Sequence, residues 1–183
     1  MSSPNRPISR LGGASESPEE PILLEMFARI RASRGRILNI HYVTAHAPKL
    51  LRATAAYARA LREESSLPRD LQELLILRIA QINDSAYEQS VHRPIAVTCG
   101  VSSAKIDALP NWCDTSLFDA KERAALSFIE QAARRGDVDD DVFGEASQCF
   151  SAQELVELAA LTAWYVGNSR FVRALQVANE HSS

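Results

Sequence analysis

The sequence predicts an all-α protein, a compact bundle of several helices. Apolar residues recur with helical period in almost every segment after residue 20. No segment shows sustained alternation of β-branched residues. Pro and Gly stand where helices start and stop. The 183 residues are 46% apolar and carry a net charge of −3, a balance typical of a globular chain with a real core. It gives no electrostatic reason to expect nucleic acid. No apolar run is long enough to span a bilayer and no signal peptide is visible, so no membrane is expected and the reading is cytoplasmic.

Residues 1–20, rich in Ser, Pro and Gly, read as a flexible N-terminal arm, or one ordered only against a partner subunit. Residues 21–183 read as a single domain. Its first helix, "PILLEMFARIRASRG", has Pro21 near its start and Gly35 just past its end. "RILNIHYVTAHAP" repeats apolar residues up to Pro48, and "KLLRATAAYARALREESS" is rich in Ala and Leu. In "LPRDLQELLILRIAQIN" Pro68 suits a first turn. Leu71, Leu74, Leu75, Ile76, Leu77, Ile79 and Ile82 make this helix apolar almost all round. Such a helix is buried on most sides, in a core or a subunit interface; on that ground an oligomer is expected. The next helix runs from Ser85 to Cys99 and stops at Gly100. "DAKERAALSFIEQAARRG" ends at Gly136. The last pattern runs from Ser151 to about Ala178, with a possible bend at Gly167-Asn168.

Cys99, Cys113 and Cys149 are odd in number and form no CxxC, so neither a zinc knuckle nor a vicinal redox pair arises from adjacent thiols. Reduced, mostly buried thiols are the expectation. There is no HExxH and no pair of His four apart on one helix. His41 could ligate a metal only by meeting His46 or His92 in space. No metal and no cofactor is called for.

The stretch "NDSAYEQSVHRP" carries the chemistry. Ser85 and Glu88 have the spacing of a capping box, in which the Ser side chain takes a first-turn amide and the Glu reaches back to the cap amide. The same device recurs as "SAQE" at 151–154 and with Asp as "DAKE" at 119–122; "DLQE" at 70–73 is a fourth candidate. Ser85 and Glu88 are thus explicable without function. His92 adds a second reading. It lies four residues after Glu88 on the same helical face, where the carboxylate can orient the imidazole as an acid or base; imidazole titrates near ~6.5.

From "ELLILRIAQINDSAYEQSVH" through "RPIAVTCGVS", "LFDAKERAALSFIEQAARRG" and "SAQELVELAALTAWYVGNSRFVRALQV", the chain resembles the carboxymuconolactone decarboxylase and alkylhydroperoxidase AhpD-like family, with the core motif over 68–100. The family pattern is a Glu, a first Cys twelve residues on, a second Cys three further, and a His four beyond that. Here those positions hold Glu73, Ser85, Glu88 and His92: the spacing agrees at all four and the identity at two. In thiol-containing relatives the cysteines form the redox pair and the Glu and His relay protons. Neither a hydroxyl nor a carboxylate can form a sulfenic acid or a disulfide, so peroxidase activity is not expected here.

The decarboxylase branch of the family needs no thiol. The resemblance therefore implies a cofactor-free acid/base enzyme, a decarboxylase-like lyase acting on a small carboxylated lactone or related ring compound. His92 would be the proton donor or base, Glu88 its orienting partner, and Glu73 and Ser85 the remaining members of the site. Tyr87, His46, Trp164 and Arg170 are candidate substrate contacts. For His46 a structural role at a helix end is the alternative. For Trp164, and for Tyr165 beside it, the alternative is packing; for Arg170 it is a pair with Glu73. The family further implies a homotrimer or homohexamer. A thiol-type antioxidant and a non-catalytic oligomeric binding protein are the alternative functions.

Overall fold

The computed structural model describes residues 8–14 and 19–180. Among them the architecture is all-helical: α1 (Pro21–Arg34), α2 (Asn39–Thr44), α3 (Pro48–Glu63), α4 (Arg69–Ile82), α5 (Ala86–Thr98), α6 (Ser103–Ala108), a 3-10 segment (Leu109–Asp114), α7 (Ala120–Arg135), α8 (Asp140–Cys149) and α9 (Ala152–Ala174). By contacts the described residues fall into two compact units, one of residues up to Arg59 with those from Phe171 on, the other of Ala60–Arg170.

In the first unit, Leu23, Met26, Phe27 and Ile30 fall on one face of α1 and form a core with Ala45 and Leu51. The Phe27 ring meets Tyr42 edge-on at 5.4 Å. Gly35 ends α1 at φ 74°, a backbone state that costs glycine nothing. Residues 8–14, part of the expected arm, carry backbone hydrogen bonds to other segments of this unit. Arg10 N donates to Leu175 O, Ala178 N to Ile8 O and Ala14 N to Tyr42 O, and Ser9 is buried. Each backbone group paired in this way removes the reason for the segment to stay solvated. The rest of the expected arm, 1–7 and 15–18, lies outside the described residues.

In the second unit, α4 is the central rod. Ten consecutive residues, Leu71 to Ala80, are buried, and α4 packs chiefly on α5 and α7. Its Leu and Ile side chains join Ile106, Leu109, Phe118, Leu126, Phe128, Ile129, Leu158 and Leu161 in one core. Burial of each is worth about 1.5–3 kcal/mol. The all-round apolar pattern is satisfied inside one chain, so it supplies no reason for a second subunit. Among the polar members, Arg78 donates from Nε and Nη2 to Glu130 Oε2 and Oε1 at 2.7 and 2.8 Å. Trp112 Nε1 and Arg134 Nε reach the same carboxylate. Burial raises the Glu130 carboxyl's affinity for its proton, but Arg78, Arg134 and Trp112 outweigh it and hold the group below the usual range.

The cysteines are less buried than expected: Cys99 and Cys149 are half-buried and Cys113 is exposed. Leu109 and Trp112 take the inward positions of the 3-10 segment, which leaves Cys113 facing solvent. The helix of α9 continues unbroken through Gly167 and Asn168.

Glu157 of α9 pins the link between α3 and α4. Its Oε2 accepts from Ser65 Oγ, Ser66 N and Ser66 Oγ at 2.7, 2.9 and 2.8 Å. Burial by itself would raise this carboxyl; hydrogen bonds from Gln153, Ser65 and Ser66 override it and lower it to about 2. Since the folded value lies below the unfolded one, the stabilisation is complete above about pH 4.5 and is lost as the pH falls towards 2. Denaturant titrations at pH 6 and pH 3 should therefore differ less for Glu157→Gln than for the parent. The variant should lose about 1–2 kcal/mol at pH 6, a range reduced for partial exposure. Equal losses at both pH values would exclude the carboxylate as the cause.

Candidate functional site

The junction between α4 and α5 builds the site. Asp84 adopts φ 49°. Its N–H bonds Gln81 O, and the N–H of Ser85 bonds Ala80 O at 2.8 Å. This pair of bonds is a Schellman turn, which satisfies carbonyls at the end of α4. Ser85 is at the same time the N-cap of α5, its Oγ accepting from Glu88 N at 3.4 Å. One residue thus ends one helix and starts the next.

That economy decides what Glu88 does. In the boxes at 119–122 and 151–154 the reciprocal bond forms: Asp119 N donates to Glu122 and Ser151 N donates to Glu154. At 85–88 the cap amide is already committed to Ala80. Glu88 turns instead to the next helical turn and to α9. Its Oε2 lies 3.5 Å from His92 Nε2, and its Oε1 accepts from Asn168 Nδ2 at 2.7 Å. The capping-box reading therefore holds for Ser85 and fails for Glu88.

On its other side His92 meets α4: Nδ1 lies 2.6 Å from Glu73 Oε2. Arg69, one turn before Glu73, brings Nη2 to 2.6 Å from Glu73 Oε1, an ion pair that approaches outside the hydrogen-bonding directions of that oxygen. The imidazole is therefore held between two carboxylates, one on its own helix and one on the neighbouring helix. Glu73, Ser85, Glu88 and His92 are between 0 and 3% exposed. The Tyr165 ring stands edge-on to the imidazole with centroids 5.1 Å apart, and Arg62 Nη1 donates to its hydroxyl at 3.5 Å. Burial raises the Tyr165 phenol above its usual value; nearby Arg62 opposes this, and Glu88 and Glu73 add to it. The arrangement can hold, share and pass a proton along Glu73, His92 and Glu88 in surroundings shielded from bulk water, where charge–charge interactions strengthen.

The other sequence candidates fall elsewhere. Tyr87 is buried in the first turn of α5. Trp164 is half-buried against the core, and its neighbour Tyr165 supplies the ring on His92. One residue along a helix turns the side chain by about 100°, enough to exchange the two roles. Arg170 lines an open cleft of about 680 Å³ beside Phe128, Val138, Phe143 and Thr162, a cleft that none of Glu73, Glu88 and His92 lines; the cation beside Glu73 is Arg69. His46 is exposed in the turn after α2. His41 Nδ1 accepts from Leu38 N at 3.1 Å, a bond that serves the start of α2. Arg69 was open to sequence reading, because an Arg four residues before a Glu on one helix is a standard pair. Arg62, Tyr165 and Asn168 carried no such signal, since their partners lie far along the chain.

The all-helical arrangement, with an imidazole bracketed by carboxylates from two adjoining helices, defines a protein of the AhpD-like fold. Residues 48–131 match the model of the Carboxymuconolactone decarboxylase family. Three solved structures are similar throughout. The AhpD-core, uncharacterized peroxidase-related protein of Ralstonia eutropha JMP134 superposes with a TM-score of 0.80 at 19% identity, over 96% of this chain and 94% of its own. The uncharacterized peroxidase-related protein of Silicibacter sp. TM1040 gives 0.80 at 19%, over 98% and 95%. The debrominase Bmp8, as an alanine variant in complex with 2,3,4-tribromopyrrole, gives 0.80 at 20%, over 98% and 94%. At such identities the likeness is one of fold. No curated protein matches the sequence.

Proposed function

We propose that the protein is a cofactor-free acid/base enzyme of the decarboxylase-like kind, acting on a small carboxylated lactone or related ring compound. The observation that carries this reading is the diversion of Glu88 from its capping box to His92 and Asn168. A purely structural SxxE motif would have left that carboxylate at the helix start, as at 119 and 151.

In the proposed reaction the bond between the ring and its carboxyl carbon breaks. Carbon dioxide leaves, and the electron pair moves into the conjugated lactone carbonyl. The resulting enolate takes one proton at carbon from His92, which recovers one from water through its carboxylate neighbours. Electrons balance without an oxidant or reductant. The carboxylates hold the ring in orientation and stabilise its protonated form. Thiol chemistry is disfavoured because the two family cysteine positions hold a capping hydroxyl and a hydrogen-bonded carboxylate. A homotrimeric or homohexameric assembly and a cytoplasmic location, both expected from the sequence, remain part of this proposal.

The test is a panel of carboxylated five-membered lactones assayed for carbon dioxide release by the parent protein and by Glu88→Gln. Turnover by the parent, lowered by about 10²-fold or more in the variant, is the expected result. No release from any member of the panel would overturn the decarboxylase reading.

A further inference from the structure

Two arginines stand at the ends of the link that joins α3 to α4. Arg62 is the penultimate residue of α3 and Arg69 the first of α4. Both are half-buried, and both guanidinium groups turn inward to the same buried group. Arg69 reaches Glu73, and Arg62 reaches the Tyr165 hydroxyl. Between them lies His92, 2.6 Å from Glu73 and edge-on to the Tyr165 ring. Glu157 clamps the link itself through Ser65 and Ser66, which fixes where the two arginines emerge.

The two differ in one respect. Arg69 has a carboxylate. Arg62 meets, among the described residues, only a neutral phenol at the long distance of 3.5 Å. A partly desolvated guanidinium favours a planar, bidentate anion, and a phenol hydroxyl beside it can donate a further bond.

We infer that Arg62 and the Tyr165 hydroxyl form the subsite that binds the carboxylate of the substrate, next to His92. The inference rests on the acid/base reading above and names the group that selects carboxylated substrates, a role that the sequence had offered to Arg170.

The probe is 2-furoate, a stable five-membered oxygen ring with one carboxylate, compared with uncharged 2-furamide by titration calorimetry. The parent should bind 2-furoate about tenfold or more tightly than 2-furamide. Arg62→Met should remove about tenfold of the 2-furoate affinity and leave 2-furamide unchanged. Arg170→Met should alter neither. Thermal unfolding monitors the fold; if Arg62→Met is unfolded, Arg62→Lys replaces it, and a selective loss of 2-furoate affinity is again required. Absence of 2-furoate binding to the parent, equal 2-furoate affinity in the parent and the folded Arg62 variant, or an equal loss in Arg170→Met overturns the inference. The two proposals fail separately. If Glu88→Gln leaves turnover intact while Arg62 still controls 2-furoate binding, the acid/base reading falls and the subsite stands.

Discussion

His92→Gln should lower turnover by about 10²–10⁴-fold, the range of a positioned general acid or base. Glutamine keeps roughly the length of the side chain and can donate to one carboxylate, but it cannot accept and release a proton. Glu73 keeps Arg69 as a partner and Glu88 keeps Asn168, so neither carboxylate is stranded. The stability cost should stay within about 1–3 kcal/mol, and the variant should remain folded by circular dichroism. Groups that act as one relay are not additive. The double variant His92→Gln/Glu88→Gln should therefore be little slower than His92→Gln alone. Turnover within about tenfold of the parent would remove His92 from the chemistry, and multiplicative losses in the double variant would show that it does not act through Glu88.

The largest stability effect should come from Glu130→Ala. Arg78 is 8% exposed and Glu130 accepts both of its outer bonds. Truncation leaves a buried guanidinium with Gln81 as a remaining side-chain partner, and breaking a buried pair from one side costs about 3–5 kcal/mol. Replacing both members, Arg78→Met with Glu130→Leu, should restore much of the loss, because no uncompensated charge remains inside. For comparison, Glu25→Ala removes the exposed Arg29–Glu25 pair and should cost less than about 1 kcal/mol. Urea unfolding of the four proteins measures all three differences. A Glu130→Ala loss no larger than that of Glu25→Ala would mean that the inner pair contributes nothing.

The sequence made helix content and most helix ends legible because these follow from local rules. Asp119 caps α7 with Glu122 answering, Gly136 closes it at φ 76°, and α4 is buried along its length as its pattern implies. His92 and Glu88 were legible from their spacing, and Glu73 from the family motif. The shell around them was not. Asn168 is 80 residues from Glu88 and Arg62 is 103 from Tyr165, and no periodicity links positions so far apart. Trp164 and Tyr165 are both large aromatics on an apolar helix, and only the rotation of α9 decides which one faces the imidazole. The apolar character of α4 does not decide for or against an oligomer, for a related reason: the pattern records that a face is covered, not whose atoms cover it.

The shared residue at the α4–α5 junction has a geometric consequence. With no spare residue between the helices, the angular phase of the second is locked to the first, and the acidic group at 88 can only point back across the hairpin. One inserted residue would free an amide to recapture that carboxylate and would rotate everything beyond it by about 100°. The tightness of a turn, rather than the choice of any reactive side chain, thus keeps the two acids facing a single ring.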